Sequence, residues 1–388
     1  MFTRLLKGKR LLGRELGNKR REDRRVEKRK IDHIQICLNE NVEAKRITTG
    51  FEDVFLIHRA LPELNLEEID LSTEVFGHKF SAPIMISSIT GGAKEALKIN
   101  ASIAEAVEEL GLGMGVGSQR AALENPKLRQ TYAIVRKKAP NAFLAANIGA
   151  PQIIRDYTVK EIKKAIEMIE ADALIIHLNP LQEAVQPEGE AFYRGALEKI
   201  RKIVDSLDTQ VIVKETGAGI SAEDAKKLKE AGVTGIDIAG AGGTSWAAVE
   251  CYRANQRGDR FATEVGKEFW DWGIPTAVSL VEVVQSVDLS VIASGGVRSG
   301  LDVVKALSLG ADLAGFALPV LRPAMKSGEE VKEKIKIIIQ QLRTSMFLIG
   351  ADSMERLREI PIIVLGKTAE WLKMRGFDIE SYARRGAK

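Results

Sequence analysis

From residue 82 onward, apolar runs of about four to six residues recur along the chain. Each is followed by small or polar residues and then by a longer stretch in which apolar positions return every third or fourth residue. The short runs read as strands buried on both faces and the longer stretches as amphipathic helices, the alternation of parallel β-α units. Eight strands are expected, near residues 82–87, 112–116, 142–146, 173–177, 211–214, 235–239, 291–294 and 313–317. Between the first two, Ala96, Ile99, Ile103, Val107 and Leu110 form one helical stripe that stops at Gly111, which reads as a helix packed outside a sheet. Eight such units with no evident edge strand close more naturally into a barrel than into an open sheet, so the expected class is α/β, a TIM (β/α)8 barrel. Residues 51–80 read as a strand-rich N-terminal plug and residues 331–376 as C-terminal helices packed on the barrel. The longest insertion, residues 244–285, carries Trp246, Trp270 and Trp272 between two helical stretches and reads as a loop over the barrel mouth. No linker marks a second domain, so residues 29–388 are expected to form one domain behind an arm, residues 1–28, that is basic, solvated and partly disordered.

At 388 residues and 45% hydrophobic content the chain can bury a large core. The net charge of +4 is unevenly placed: residues 1–30 carry thirteen Lys/Arg against four Asp/Glu, which leaves the remainder at −5. Such an arm could bind a polyanion, yet it has few aromatics to stack bases, and neither nucleic acid nor membrane is expected as a partner. The most apolar long stretch, residues 335–349, is interrupted by Lys336, Gln340, Gln341 and Arg343 and reads as a buried helix rather than a membrane span. Cys37 and Cys251 have no metal or framework spacing, which points to reduced thiols and a cytoplasmic protein.

The chemistry gathers at the carboxyl ends of the expected strands, the end of a parallel barrel where active sites lie. There the first strand is followed by Ser88 and Thr90, the second by Ser118 and Arg120, the third by Asn147. The fourth ends at His177, with Asn179, Gln182 and Glu183 after it; the fifth ends at Lys214 and Glu215, and the sixth runs into Thr244. After the seventh, Ser294, Gly295 and Gly296 precede an amphipathic helix, an arrangement suited to phosphate, although a plain tight turn has the same composition. Lys214 ends the apolar run V-I-V-K and needs a partner, either an anion in the site or a local cap or salt bridge with Glu215. His177 reads equally as a core histidine, and His58 and His78 as surface or packing residues. With four histidines and no paired-ligand spacing a zinc site is not expected, whereas Glu183 beside a phosphate suits a largely hydrated Mg2+ or, more simply, a helix start.

Together, R-K-I-D-H-I at residues 29–34, S-S-I-T-G-G at 87–92, V-G-S-Q-R at 116–120, H-L-N-P-L-Q-E at 177–183, V-K-E at 213–215 and G-A-G-G-T-S-W at 240–246 resemble the type 2, FMN-dependent isopentenyl-diphosphate isomerases. The resemblance runs along essentially the whole chain from Arg29. It implies an FMN-binding barrel with the flavin phosphate at Gly295, Gly296, Arg298 and Ala317, and the ring against Ser88, Thr90, Ser118, Asn147, Lys214 and Thr244. It also implies that Arg29, Lys30, His33, Arg120, His177, Asn179 and Gln182 bind isopentenyl diphosphate, with Mg2+ on Glu183. The flavin would be reduced by NAD(P)H or another reductant, and the assembly would be a homo-oligomer, a tetramer or octamer. Two features depart from the family pattern: Ile89 stands where methionine is common, and the first two dozen residues have no counterpart.

Moving a double bond from C3=C4 to C2=C3 adds one proton and removes another without net electron transfer. The catalytic residues on this reading are Lys214, holding the reduced flavin anionic, and Gln182, whose neutral amide orients without trapping a cation as a carboxylate would. Three rivals differ at identifiable residues. A 2-hydroxy-acid oxidase would place a histidine base and an arginine where this chain has A-G-A-G-G-T-S-W at 239–246. An enzyme resembling IMP dehydrogenase would need a loop cysteine, and Cys251 comes too late. A barrel that binds phosphate ligands or nucleic acid without turnover would leave Asn179, Gln182 and Lys214 unexplained.

Overall fold

A computed structural model describes residues 28–386. The basic arm therefore lies, but for residue 28, outside the described residues. Three short strands come first: Val54–Leu56 (β1), Thr73–Val75 (β2) and His78–Phe80 (β3). The barrel strands follow: Ile84–Ile86 (β4), Gly113–Gly115 (β5), Phe143–Gly149 (β6), Ala173–His177 (β7), Gln210–Lys214 (β8), Gly235–Asp237 (β9), Ser290–Ala293 (β10) and Leu313–Phe316 (β11). They pair in parallel and in sequence order, and β11 closes on β4. Every expected strand is present within a few residues. A last strand, Ile362–Val364 (β12), pairs antiparallel with β1.

The double-sided burial read from the sequence has a concrete form. On the outer face, Ile84, Ile86, Leu144, Leu174, Ile176, Val211, Val213, Ile236 and Val291 belong to the large cluster beneath the helices. On the inner face, Met85, Phe143, Ala145, Ala173, Ile175, Ile212, Ile292 and Leu313 fill the lumen. One step nearer the carboxyl ends, strand alternation puts Ser87, Asn147, His177, Lys214, Asp237 and Ser294 on the same inner face. Polar residues thus replace apolar ones at the top of the tube and floor the barrel mouth.

The segment before the barrel does act as a plug, though with less strand than expected. The hairpin β2–β3 closes the bottom, where Val75, Phe76 and Phe80 join the lumen cluster. Phe143 stacks on Phe76 at 5.8 Å and meets Phe80 at 5.6 Å and His78 at 5.7 Å, so His78 is a packing residue while His58 is exposed. Two further expectations need correction. Residues 331–376 are not all helix, because β12 interrupts them to pair with β1 about three hundred positions earlier. The insertion after β9, expected as a loop with two helical stretches, holds three helices, Trp246–Gln256, Arg260–Glu268 and Thr276–Val284. The helix Gly328–Ile349 is amphipathic, with Ile335 and Leu342 buried and Ile337 and Leu348 exposed. Among the described residues no helix is long and apolar enough to cross a membrane.

Residues 28–39 are helical and lead into a strap across the mouth. The Ala44 amide donates to the Gly243 carbonyl (2.8 Å), the Ser245 amide to Val42 (2.8 Å) and the Ala277 amide to Thr49 (2.8 Å). The Trp270 indole N–H donates to the Glu43 carbonyl at 3.0 Å. These bonds fix the strap to the insertion after β9.

Because Phe143 is fully buried between lumen and plug, Phe143→Ala is expected to destabilise the chain by about 3–5 kcal/mol in denaturant unfolding. The exposed Phe55→Ala should stay within about 0.5 kcal/mol of the parent.

Candidate active site

At the carboxyl end of β10 the backbone enters the left-handed region twice, at Gly295 (φ 98°) and Gly296 (φ 72°). A side chain at Gly295 would collide with the Gly240 backbone, and one at Gly296 with Thr49 of the strap. Only glycine lets these amides turn so close to their neighbours. The helix Gly300–Ser308 follows, and its capping carboxylate, Asp302, already accepts the Arg298 and Ser299 amides at 3.0 Å each. An incoming phosphate would therefore meet the Gly295–Gly296 turn and Ala317 after β11 rather than those two amides. Arg298 reaches over the turn, donating to Glu43 of the strap (2.8 Å) and to the Thr244 hydroxyl (3.4 Å).

This turn borders a solvent-open cleft with about 970 Å³ of empty space, lined also by Lys30, His33, Ser88, Thr90, Lys214 and Thr244. Ile34, Ile89, Leu318 and Leu321 give it an apolar flank. The hydroxyls of Ser87 and Ser88 are buried here with no hydrogen-bond partner among the described residues, which marks them for a ligand's acceptor or donor. A glycine cradle, an apolar flank, orphaned hydroxyls and the lysines Lys30 and Lys214 fit a flat heteroaromatic group with an anionic tail, as FMN is.

A second lobe, with about 880 Å³ of empty space, adjoins the first and shares Lys30, His33, Ser88, Ile89, Lys214, Thr216 and Trp246 with it. Its wall carries Arg29 from the strap helix and Arg120, Asn179, Gln182 and Glu183 from the barrel loops, with Ser118, Asn147 and His177 below. Every site residue expected from the sequence thus lines one lobe or the other. Ser118 and Asn147, expected against the flavin ring, line this second lobe rather than the first.

The second lobe is short of anions. Burial, reinforced by Arg29 and Arg120, brings the Lys30 ammonium down to about 7. Burial likewise lowers Arg29 and His33, the latter despite a 2.9 Å hydrogen bond to Glu250. His177 falls to about 3 through burial and the nearby Lys30 and Lys214. It is therefore a neutral imidazole, with Nδ1 2.6 Å from Asn147 Oδ1. Clustered cations whose charge burial disfavours are arranged to be relieved by a multiply charged anion.

The neutral and acidic groups are held just as firmly. Asn179 donates to Gln182 Oε1 (3.2 Å) and Glu183 Oε1 (2.9 Å). Glu183 also accepts from Gln186 (2.7 Å) and the Glu190 amide (2.6 Å). Three of its roughly four acceptor positions are thus engaged, so a single coordination position fits it and a multidentate one does not. Among the described residues no cluster of three or more His, Cys, Asp or Glu could hold a metal by itself. Lys214 donates to the Glu215 carbonyl at 2.5 Å rather than to its carboxylate. That carboxylate instead receives the amides of Thr216, Gly217 and Ala218 at 2.5–2.6 Å, while burial pushes it up to about 7. Cys251 is buried in the helix Trp246–Gln256, its thiol facing the Thr263 carbonyl.

Two carboxylates escaped the sequence reading. Glu250, buried, accepts from Gln182 Nε2 (3.2 Å) and Arg253 (2.5 Å) besides its bond to His33. Glu43 pairs with Arg298. The available signal for Glu250 was its place four residues after Trp246, on the same helical face, and Trp246 meets the His33 ring edge-on at 5.1 Å.

The chain matches the family described as FMN-dependent dehydrogenase over residues 22–140 and 136–362. In fold it is similar to a mandelate oxidase variant (TM-score 0.57, 20% identity, 82% of this chain and 90% of that one). It is also similar to a flavocytochrome b2 variant (TM-score 0.61, 18% identity, 87% and 83%). In sequence it is 52% identical over 360 residues to the isopentenyl-diphosphate delta-isomerase of Methanothermobacter thermautotrophicus, covering 93% of this chain and 99% of the relative. To that of Pyrococcus furiosus it is 50% identical over 375 residues, covering 95% and 94%. With the glycine-cradled cleft, the basic lobe beside it and near-complete coverage at this identity, the chain belongs to the isopentenyl-diphosphate delta-isomerases, as a flavin-barrel member of that family.

Proposed function

We propose that the chain interconverts isopentenyl diphosphate and dimethylallyl diphosphate, with FMN in the glycine-cradled lobe and the substrate diphosphate in the basic lobe. The observation that carries this reading is the shared wall. Lys214, Thr216 and Trp246 line both lobes, so a prenyl chain anchored by its diphosphate in one would lie against a flat group in the other. An oxidase reading lacks its base, since no histidine follows His177 in the sequence.

When bound and reduced, FMN supplies an electron-rich, proton-carrying face beside the alkene, without net oxidation of the substrate. NAD(P)H or another reductant provides those electrons once. Arg29, Lys30, His33, Arg120 and Asn179 bind the diphosphate, and Glu183 contributes one ligand to a largely hydrated Mg2+ shared with it. Lys214 places its ammonium at the flavin lobe. Gln182 is fixed on one side by Asn179 and on the other by Glu250. Its amide presents polarity to a developing carbocation without a nucleophilic oxygen of full charge. The Trp246 ring adds a π face and helps keep water away. Residues 29–388 act as one FMN-binding unit, assembled as a homo-oligomer.

An anaerobic assay with isopentenyl diphosphate in deuterated buffer, followed by NMR, should show solvent deuterium in the product. The activity should require both Mg2+ and a flavin reductant while NAD(P)H is not consumed in proportion to product. Turnover by the oxidised flavin alone, or a stoichiometric demand for NAD(P)H, would contradict the reading. Lys214→Met should lower kcat by roughly 100-fold or more, the size expected for one preorganised charge at the reacting centre.

The Lys30 ammonium gives a pH signature. With its pKa near 7 in the free chain, the charged, diphosphate-binding form is present below neutrality and lost as pH rises through that value. A bound diphosphate stabilises the charged form, so kcat/KM should fall above about pH 7 while kcat at saturation falls only at higher pH. Lys30→Arg, always charged, should remove the earlier limb.

A further inference from the structure

A short hydrocarbon tethered to a diphosphate needs apolar surface beyond the cations, and the basic lobe offers little of it. Its lining is polar or charged except for Ile89, Trp246, the small Ala121 and the backbone of Gly117. Of these four, Ile89 and Trp246 also line the flavin lobe. They are thus the apolar side chains common to both lobes, at the place where a prenyl group would lie against a flat ring. They rise from different sides of the mouth. Ile89 follows β4 and Trp246 opens the helix after β9, with β10 and β11 standing between those two strands in the closed ring.

Both side chains are half-buried, and their backbones are held in place. Trp246 comes directly after the helix cap Ser245, whose hydroxyl accepts from the Ala248 amide at 3.1 Å. Its ring is braced edge-on by His33 of the strap helix, at 5.1 Å. Ile89 lies in a loop pinned on either side of it. The Ser87 amide donates to the Phe316 carbonyl (3.0 Å), and the Thr90 carbonyl accepts from the Gly117 amide (3.0 Å) and from Asn100 Nδ2 (3.3 Å). The branch at the Ile89 Cβ stiffens its χ1, so the wall it presents keeps one shape.

We infer, on the placement of FMN and diphosphate proposed above, that Ile89 is a specificity-determining residue. With Trp246 across the mouth, it limits the hydrocarbon between the lobes to a branched group the size of an isopentenyl unit. With the diphosphate held among the cations, extra carbon at C3 has to find room between these two side chains. A hydrophobic wall discriminates by size only moderately, one methylene being worth a factor of roughly 10 to 200 in kcat/KM. Of the two, Ile89 is the informative one to trim, because shortening it removes volume and neither a hydrogen bond nor a π face.

The test compares isopentenyl diphosphate with its homologue carrying ethyl in place of methyl at C3, on the reduced, FMN-loaded chain with Mg2+. The parent should prefer the methyl substrate by about 10-fold or more in kcat/KM. Trimming the wall should move that ratio stepwise toward the ethyl homologue, slightly in Ile89→Val and by about 10-fold in Ile89→Ala. A readout free of turnover uses the saturated analogues 3-methylbutyl and 3-methylpentyl diphosphate in titration calorimetry. Their Kd ratio should shift in the same direction, while the Kd of inorganic pyrophosphate and the flavin spectrum stay as in the parent. Equal losses for both substrates in I89A, with an unchanged Kd ratio, would overturn the inference and leave Ile89 a packing residue. So would a parent that binds both analogues no more tightly than inorganic pyrophosphate. Failure of the isomerase reading has a different signature: the parent would turn over neither diphosphate, and the Kd ratio would still report whether Ile89 bounds the hydrocarbon.

Discussion

Cations withdrawn from water need negative charge close by, and the barrel mouth is organised by that requirement. Arg29, Lys30, Arg120, Lys214 and Arg298 converge on one cleft. The chain answers some of them itself, with Glu124 and Glu190 on Arg120 and Glu43 on Arg298. Among the described residues no carboxylate pairs with Lys30, and that residue shows the strongest lowering among the lysines described. The cleft therefore favours anions before any shape is considered, which suits the proposed division between a single phosphate at the glycine turn and a diphosphate among side-chain cations.

The scaffold supplies the positions through strand periodicity. On most strands a two-residue step along the inner face leads from a filled lumen to a polar floor, as from Ile212 to Lys214 and from Ile292 to Ser294. Glycine makes the floor deep enough: a side chain at Gly315 would strike the Ser87 hydroxyl, and one at Gly115 the Ser88 hydroxyl. Helix packing outside and the aromatic plug below then hold the floor rigid, so that small displacements of Lys214 or His177 are resisted by the whole barrel.

Much of this was legible in the chain because it is local. Strands buried on both faces announce themselves as unbroken apolar runs, and the residue that ends such a run is by construction at the mouth; Lys214, His177 and Ser294 were found that way. Glu250, Glu43 and the β1–β12 pair were not, and for one reason. Glu250 is a glutamate within a helix, which ordinarily means a solvated face, and two of its partners, Gln182 and His33, arrive from 68 and 217 positions away. Glu43 meets Arg298 across 255 positions. Ile362–Val364 is too short to declare itself a strand beside two helical stretches, and its partner lies near the opposite end of the chain. Local composition carries no record of such meetings.

The strap that roofs the cleft is made of the earliest described residues, yet its hydrogen-bonding partners lie at Gly243, Ser245 and Ala277. During synthesis this segment leaves the ribosome well before the residues it bonds to, and waits unpaired while roughly two hundred further residues emerge. Roofing is thus a late event in maturation, and the chamber stands open to small molecules until nearly all of its walls exist.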